Sequence, residues 1–257
     1  MNGPIRPGWL VILLTVLVGC TSPSAASPTP ASPTPARTAA PTTAQPTPSA
    51  APSAASPGAV RYVAVGASDS VGIGATDPAR GSWPARLASL MPAGSTFTNL
   101  GVSGSLALQA EREQLPGAIA QRPTVVTVWL AVNDLNATIE PASYAQSLGT
   151  IVDGLVAGTN ATIFVGNVPD LRSVPVYASV DKTRLLAGIT AYNDAIAAIA
   201  AKAPGRVVPV DLFTGSAALV STATVSSDGF HPSDGGYQLI ADRFAATMRA
   251  RGVPLRS

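Results

Sequence analysis

The chain of 257 residues has one cysteine, Cys20, and one histidine, His231. A single cysteine near the N-terminus has no partner in the rest of the chain. No intrachain disulfide can form, so packing alone must hold the fold. The zinc patterns that need paired cysteines or several histidines are excluded too. Excess charge is scarce: the formal net charge is +2, from scattered Lys and Arg. No basic stripe with interleaved aromatics is visible, so nucleic-acid binding has no support. The longest apolar run, "WLVILLTVLVG" from Trp9 to Gly19, is too short to span a bilayer comfortably. No repeat of 20–50 residues is visible either.

That apolar run follows Arg6 and ends in "LVGC". It reads as an export signal over residues 1–20. Leu17, Val18 and Gly19 before Cys20 match the bacterial lipobox, which predicts lipidation of Cys20. Residues 21–58 hold ten of the 24 prolines, with Ala, Ser and Thr between them. Nothing there offsets the entropy of ordering, so this segment is expected to be a disordered spacer with extended character. At about 3 Å per residue it could hold a domain as far as ~100 Å from the lipid. Residues 59–257 then make one domain with enough chain to bury a core.

In that domain short apolar runs alternate with segments of helical period. Strands are expected at 62–66, 95–101, 124–131, 161–169 and 206–212. Helices are expected at 83–91, 106–121, 144–158, 181–203 and 232–252. The second of these should break at Pro116-Gly117, the third should end on a glycine C-cap, and the last should start from Ser233 as N-cap. "TVVTVWLA" is apolar almost throughout, as a central parallel strand requires. The alternation predicts a three-layer α/β/α sandwich around a central parallel five-stranded sheet. Ligands bind at the carboxyl ends of such strands, so the loops after each strand are the ones to read.

Those loops carry a consistent chemistry. The first, "VGASDSVGIG", holds Ser68 and Ser70 on either side of Asp69. The second, "NLGVSG", offers small residues and backbone N–H groups at Gly101 and Gly104. The third, "LAVND", offers Asn133 and Asp134. The last, "SDGFHPSDGGY", sets Asp228 three residues before His231. Taken singly, each has a plainer reading: a turn serine, an Asx turn or helix cap, a structural histidine. Together they supply the four requirements of ester cleavage by serine. These are a hydroxyl, a base near neutral pKa, a carboxylate to orient the base, and donors for an oxyanion.

These four blocks, in this order, resemble those of the SGNH hydrolases, the GDSL-type esterases and lipases. The resemblance runs from about residue 60 to 250. It implies a catalytic set of Ser68, Asp228 and His231. It also implies an oxyanion hole from the N–H of Ser68, the N–H of Gly104 and the side-chain amide of Asn133. No metal or organic cofactor is implied. Two registers fit the family's G-D-S-x-x-x-G block, one with Ser68 and Gly72, the other with Ser70 and Gly74. The nucleophile lies two residues past the strand-end glycine, Gly66, which favours Ser68 and leaves Ser70 open. In that register Ala67 stands where the family has Asp, with Asp69 as a possible substitute in the loop. Ala131 stands where the third block has Gly.

The expected activity is hydrolysis of a carboxylic ester outside the cytoplasmic membrane, with a short acyl, O-acetyl carbohydrate or lipid ester as substrate. The only membrane contact expected is through the lipid on Cys20. The loop at 167–183 is expected to border the substrate pocket, with Val174, Val176 and Tyr177 as an apolar wall. Acyl transfer by the same residues, or a non-catalytic binding module on the same fold, are the alternatives at this level.

Overall fold

The computed structural model describes residues 58–256. The expected signal, Cys20 and almost all of the Pro-rich spacer lie outside the described residues. Five strands form one parallel sheet: β1 (Arg61–Gly66), β2 (Thr96–Asn99), β3 (Val125–Trp129), β4 (Thr162–Gly166) and β5 (Val207–Val210). Their spatial order is β2-β1-β3-β4-β5. The chain thus steps outward from β1 in both directions, and the sheet reverses between β1 and β3. In open parallel sheets the crevice above such a reversal is where ligands bind.

The strands form where the sequence can be buried on both faces. Every residue of β3 is buried, and so is all of β1 except Arg61. The edges read differently. In β2, Thr96, Phe97 and Asn99 are exposed, and β5 carries an exposed proline, Pro209. A proline cannot donate to the ladder, so it belongs on a sheet edge.

Nine α-helices are present among the described residues. They are α1 (Ser68–Val71), α2 (Pro78–Gly81), α3 (Trp83–Ser89), α4 (Ala107–Glu113), α5 (Leu115–Ala120), α6 (Val132–Asn136), α7 (Pro141–Gly158), α8 (Lys182–Ala200) and α9 (Asp234–Ala250). One face of the sheet packs Tyr62, Trp129, Phe164 and Val210 against Trp83 of α3 and Tyr237 and Phe244 of α9. The rings of Trp83 and Phe244 stack at 4.4 Å between centroids. The other face packs Val63, Val126 and Ile163 against Leu148 and Ile151 of α7 and Ile189 and Ile196 of α8. Period-two strands thus feed two separate cores, and the result is the expected α/β/α sandwich.

Three helix details differ from expectation. The break between α4 and α5 falls at Gln114, ahead of Pro116, because proline is tolerated in the first turn of a new helix. For the same reason α7 starts at Pro141, three residues early. Gly158 is the last residue of α7 and no left-handed cap, since the cap is Thr159 at φ −143°. A Cβ on Gly158 would lie 3.0 Å from Ile119 Cγ2, so this glycine is there to let α5 come close. Ser233 does cap α9, accepting from Gly236 N–H.

Candidate active site

Where β1 ends, the chain turns directly into α1. Gly66 is the last strand residue, Ala67 the N-cap, and Ser68 the first helical residue. The two serines of this turn face different surroundings. Ser70 is fully buried, and its hydroxyl finds no hydrogen-bond partner among the described residues. A Cβ on Gly66 would lie 2.1 Å from Ser70 Oγ, and one on Gly101 2.7 Å from Ser70 Cβ. Ser70 is therefore a packing residue wedged between two glycine backbones. Ser68 Oγ instead donates to His231 Nε2 at 3.0 Å.

His231 lies 163 residues further along the chain, in the loop before α9. Its Nδ1–H donates to Asp228 Oδ2 at 2.6 Å. A carboxylate only accepts, so the proton sits on Nδ1 and Nε2 is left as the acceptor facing Ser68. The other Asp228 oxygen, Oδ1, accepts from Ser226 Oγ, Phe230 N and His231 N at 2.7, 2.8 and 2.9 Å. Gly229 supplies the positive φ of 73° that this tight turn needs. One carboxylate thus folds the loop with one oxygen and orients the imidazole with the other. Partial burial pushes the Asp228 pKa up, but the donors from His231, Phe230 and Ser226 outweigh it and hold the group well below the usual carboxylate range. In the sequence Ser226 is a serine two residues before an aspartate, a pattern that carries no signal of its own.

Beyond β3 the chain reverses at Ala131, which adopts φ 87° and ψ −39°. That is a region L-residues rarely enter. The reversal brings Asn133 and Asp134 to the strand end. Asn133 Nδ2 donates to Ser105 O at 3.1 Å, and the same amide nitrogen has a second proton to give. Asn133, Ser105, Ala67 and Asp69 border one small cleft. Gly104, with φ 80°, adjoins Ser105. Neither the Ser68 N–H nor the Gly104 N–H has a backbone partner among the described residues.

Asp134 faces away from this cleft into the protein. Both its oxygens accept the Ala107 N–H, at 3.2 and 3.1 Å, and so it caps α4 from a distance. Burial raises its pKa to about 6, against the pull of the Ala107 N–H. Two further residues brace the strand ends. Asn99 donates to Ser70 O at 2.6 Å and accepts from Gly101 N at 3.0 Å. Gln114 brackets Gly66, accepting from its N–H and donating to its carbonyl, both at 3.0 Å. Gln114 could not be found from sequence, because its partner lies 48 residues away.

A cavity of about 130 Å³ is bordered by Asp69 and Phe230, the chain neighbours of Ser68 and His231, though not by that pair itself. Its wall is largely apolar, with Trp129, Val132, Leu171, Val174, Leu212 and Phe230. Val174 is therefore in the wall as expected, whereas Val176 and Tyr177 are not. Val176 is 52% exposed. Tyr177 is buried, donates to Asn136 Oδ1 at 2.8 Å and meets Phe230 edge-on. Asp69 also reaches this cavity. It does not take over the loop hydrogen bonds expected of an aspartate at position 67: among the described residues no other residue donates to its carboxylate.

No curated protein sequence matches the chain. Solved structures do. TesA superposes with a TM-score of 0.58 at 22% identity, over 74% of this chain and 99% of its own. A family 3 carbohydrate esterase of Clostridium thermocellum gives 0.56 at 22%, over 76% and 99%. The psychrotrophic esterase EstA of a Pseudoalteromonas species gives 0.58 at 18%, over 74% and 97%. At these identities the likeness carries the fold. The model of the GDSL-like lipase/acylhydrolase family matches residues 64–239. That stretch contains the β1 turn, the β3 turn and the Asp228–His231 loop, and the chain belongs to the GDSL-like lipase/acylhydrolase family, as a carboxylic ester hydrolase.

Proposed function

We propose that the protein is an exported serine esterase working through an acyl-enzyme, with Ser68 as nucleophile, His231 as general base and acid, and Asp228 as orienting carboxylate. The observation that carries this is the continuous hydrogen-bonded chain Ser68–His231–Asp228 at the carboxyl ends of the strands. Ser68 Oγ attacks the ester carbonyl carbon as its proton passes to His231 Nε2. The carbonyl oxygen becomes an oxyanion, held by the Ser68 N–H, the Gly104 N–H and the free proton of the Asn133 amide. Collapse breaks the bond to the alcohol oxygen, which leaves with the proton from Nε2. Water then attacks the acyl-serine, again giving its proton to His231, and the carboxylic acid departs as Ser68 is restored. Throughout, Asp228 stays ionised and stabilises the imidazolium.

The cavity wall supports a substrate with one small half that enters apolar surroundings. The Trp9–Gly19 run and Cys20 support export and lipid anchoring, and the Pro-rich stretch supports a tether. The test is turnover by the full chain of p-nitrophenyl esters from acetyl to long acyl chains, with Ser68→Ala and Ser70→Ala beside it. Ser68→Ala should lower kcat at least about a thousandfold. Ser70→Ala should keep most of it. The opposite pattern would move the nucleophile to Ser70 and overturn this reading.

A further inference from the structure

Asp69, next in sequence to Ser68, is the unusual feature of the cavity. A carboxylate in a partly buried, mostly apolar wall costs desolvation unless something pairs with it. The other charged groups there are already committed. Asp170 is bound by Arg172, with Nη2 donating to Oδ2 at 2.7 Å. The Arg243 guanidinium donates to the carbonyls of Asp211 and Thr214, at 2.9 and 2.7 Å. No cation is paired with Asp69 among the described residues. Burial accordingly raises its pKa to about 6, with His231 pulling the other way, so at pH 8 it is an unpaired carboxylate. Two aromatic rings, Trp129 and Phe230, border the same space. A carboxylate together with aromatic rings is the composition that holds an alkylammonium group, through charge and through the ring faces.

We propose that Asp69, Trp129 and Phe230 form a subsite for an alkylammonium group, so that the preferred ester carries a positive charge in the half that enters the cavity. This rests on the esterase reading above and names its substrate class. Phe230 is fixed there by its neighbours, with its ring 4.7 Å from that of His231 and 6.2 Å from that of Tyr177. Asp69 is fixed by its place in α1, one residue past the reacting hydroxyl. The subsite is thus built from the chain neighbours of Ser68 and His231, which is why a short ester is the substrate to test.

The experiment compares isosteric esters that differ only in charge, at pH 8, with the full chain and with Asp69→Asn. On the alcohol side these are choline acetate and 3,3-dimethylbutyl acetate. On the acyl side they are aryl esters of 4-(trimethylammonio)butanoate and 5,5-dimethylhexanoate. In at least one pair the cationic ester should have the higher kcat/KM by about tenfold, and Asp69→Asn should abolish that ratio. Calorimetry adds a readout that needs neither turnover nor a variant: the wild-type protein should bind choline more tightly than 3,3-dimethylbutan-1-ol. A neutral preference in both pairs, a cationic preference that survives in folded Asp69→Asn, or choline binding no tighter than the neutral alcohol would overturn the subsite. Choline binding without turnover of any ester would keep the subsite and remove the esterase reading instead.

Discussion

The turn after β1 places two serines two residues apart in opposite roles, and burial is what separates them. Ser70 has no room to meet a substrate and, among the described residues, no partner for its hydroxyl. Removing an orphaned buried hydroxyl relieves a desolvation cost. Ser70→Ala should therefore leave stability unchanged or raise it by up to about 1 kcal/mol, measured by urea unfolding. Ala131 is strained in a comparable way. Its φ of 87° is one that suits glycine. Ala131→Gly should stabilise the fold by about 1 kcal/mol, the relief at a positive φ exceeding the entropy glycine adds to the unfolded chain. Thermal unfolding would read it, and an unchanged or lower Tm would contradict the strain. The carboxylates divide by sign. Asp228 is held low, so its contribution to stability is present above the unfolded carboxylate pKa near 4 and lost as acid takes it through its folded value. Asp69 is raised to about 6, so its folded form binds the proton more tightly. Its cost is absent below about pH 4, grows up to about pH 6 and is complete above that. Asp69→Asn should thus gain stability relative to wild type at pH 7.5 compared with pH 4.5. Equal differences at both pH values would remove the desolvation argument.

At the scale of elements, the site depends on how strand ends are held. Gln114, between α4 and α5, pairs with both backbone groups of Gly66 and donates to Ser105 Oγ at 3.2 Å. It ties the β1 turn to the segment that carries Gly104. Gln114→Ala would leave the buried Gly66 N–H unpaired and should cost about 1–3 kcal/mol in urea unfolding. It should lower kcat as well, because Ser68 follows Gly66 by two residues. A stability loss with kcat unchanged would mean the brace serves the fold alone. The end of β4 is packed as tightly. A Cβ on Gly166 would lie 2.8 Å from Trp129 Cδ1 and 3.0 Å from both Leu212 and Phe244. Gly166→Ala should destabilise by about 1–3 kcal/mol through overpacking and, by displacing Trp129 from the cavity wall, should raise KM.

At the scale of the whole molecule, a catalytic domain is joined to an N-terminal stretch of quite different composition. If Cys20 is lipidated, Cys20→Ala should move the protein from the membrane fraction to the soluble one, with kcat on a soluble ester unchanged. A wild-type protein that fractionates as soluble would overturn the anchor. The fold class was legible from one pattern, apolar runs alternating with helical period, because a strand buried on both faces cannot be written any other way. Element ends were less legible. Pro116 and Pro141 open helices that the apolar period alone places elsewhere, and Gly158 serves packing with α5, a contact no local signal reveals.

The residue types of the site were in the sequence, since a hydroxyl, an imidazole and a carboxylate must each be spelled out as a residue, and their order followed from one loop per strand. Asp228 and His231 could be paired from sequence because three residues of one turn separate them. What only the tertiary structure decided was distance across the chain. It brought His231 to Ser68 across 163 residues and sealed Ser70 between Gly66 and Gly101. It put Gln114 on Gly66, turned Asp134 inward to Ala107, and left Asp69 unpaired beside Trp129 and Phe230. The physical reason is common to all of these. Local propensity acts over a few residues, whereas burial and hydrogen-bond satisfaction are settled by whatever the sheet order brings alongside.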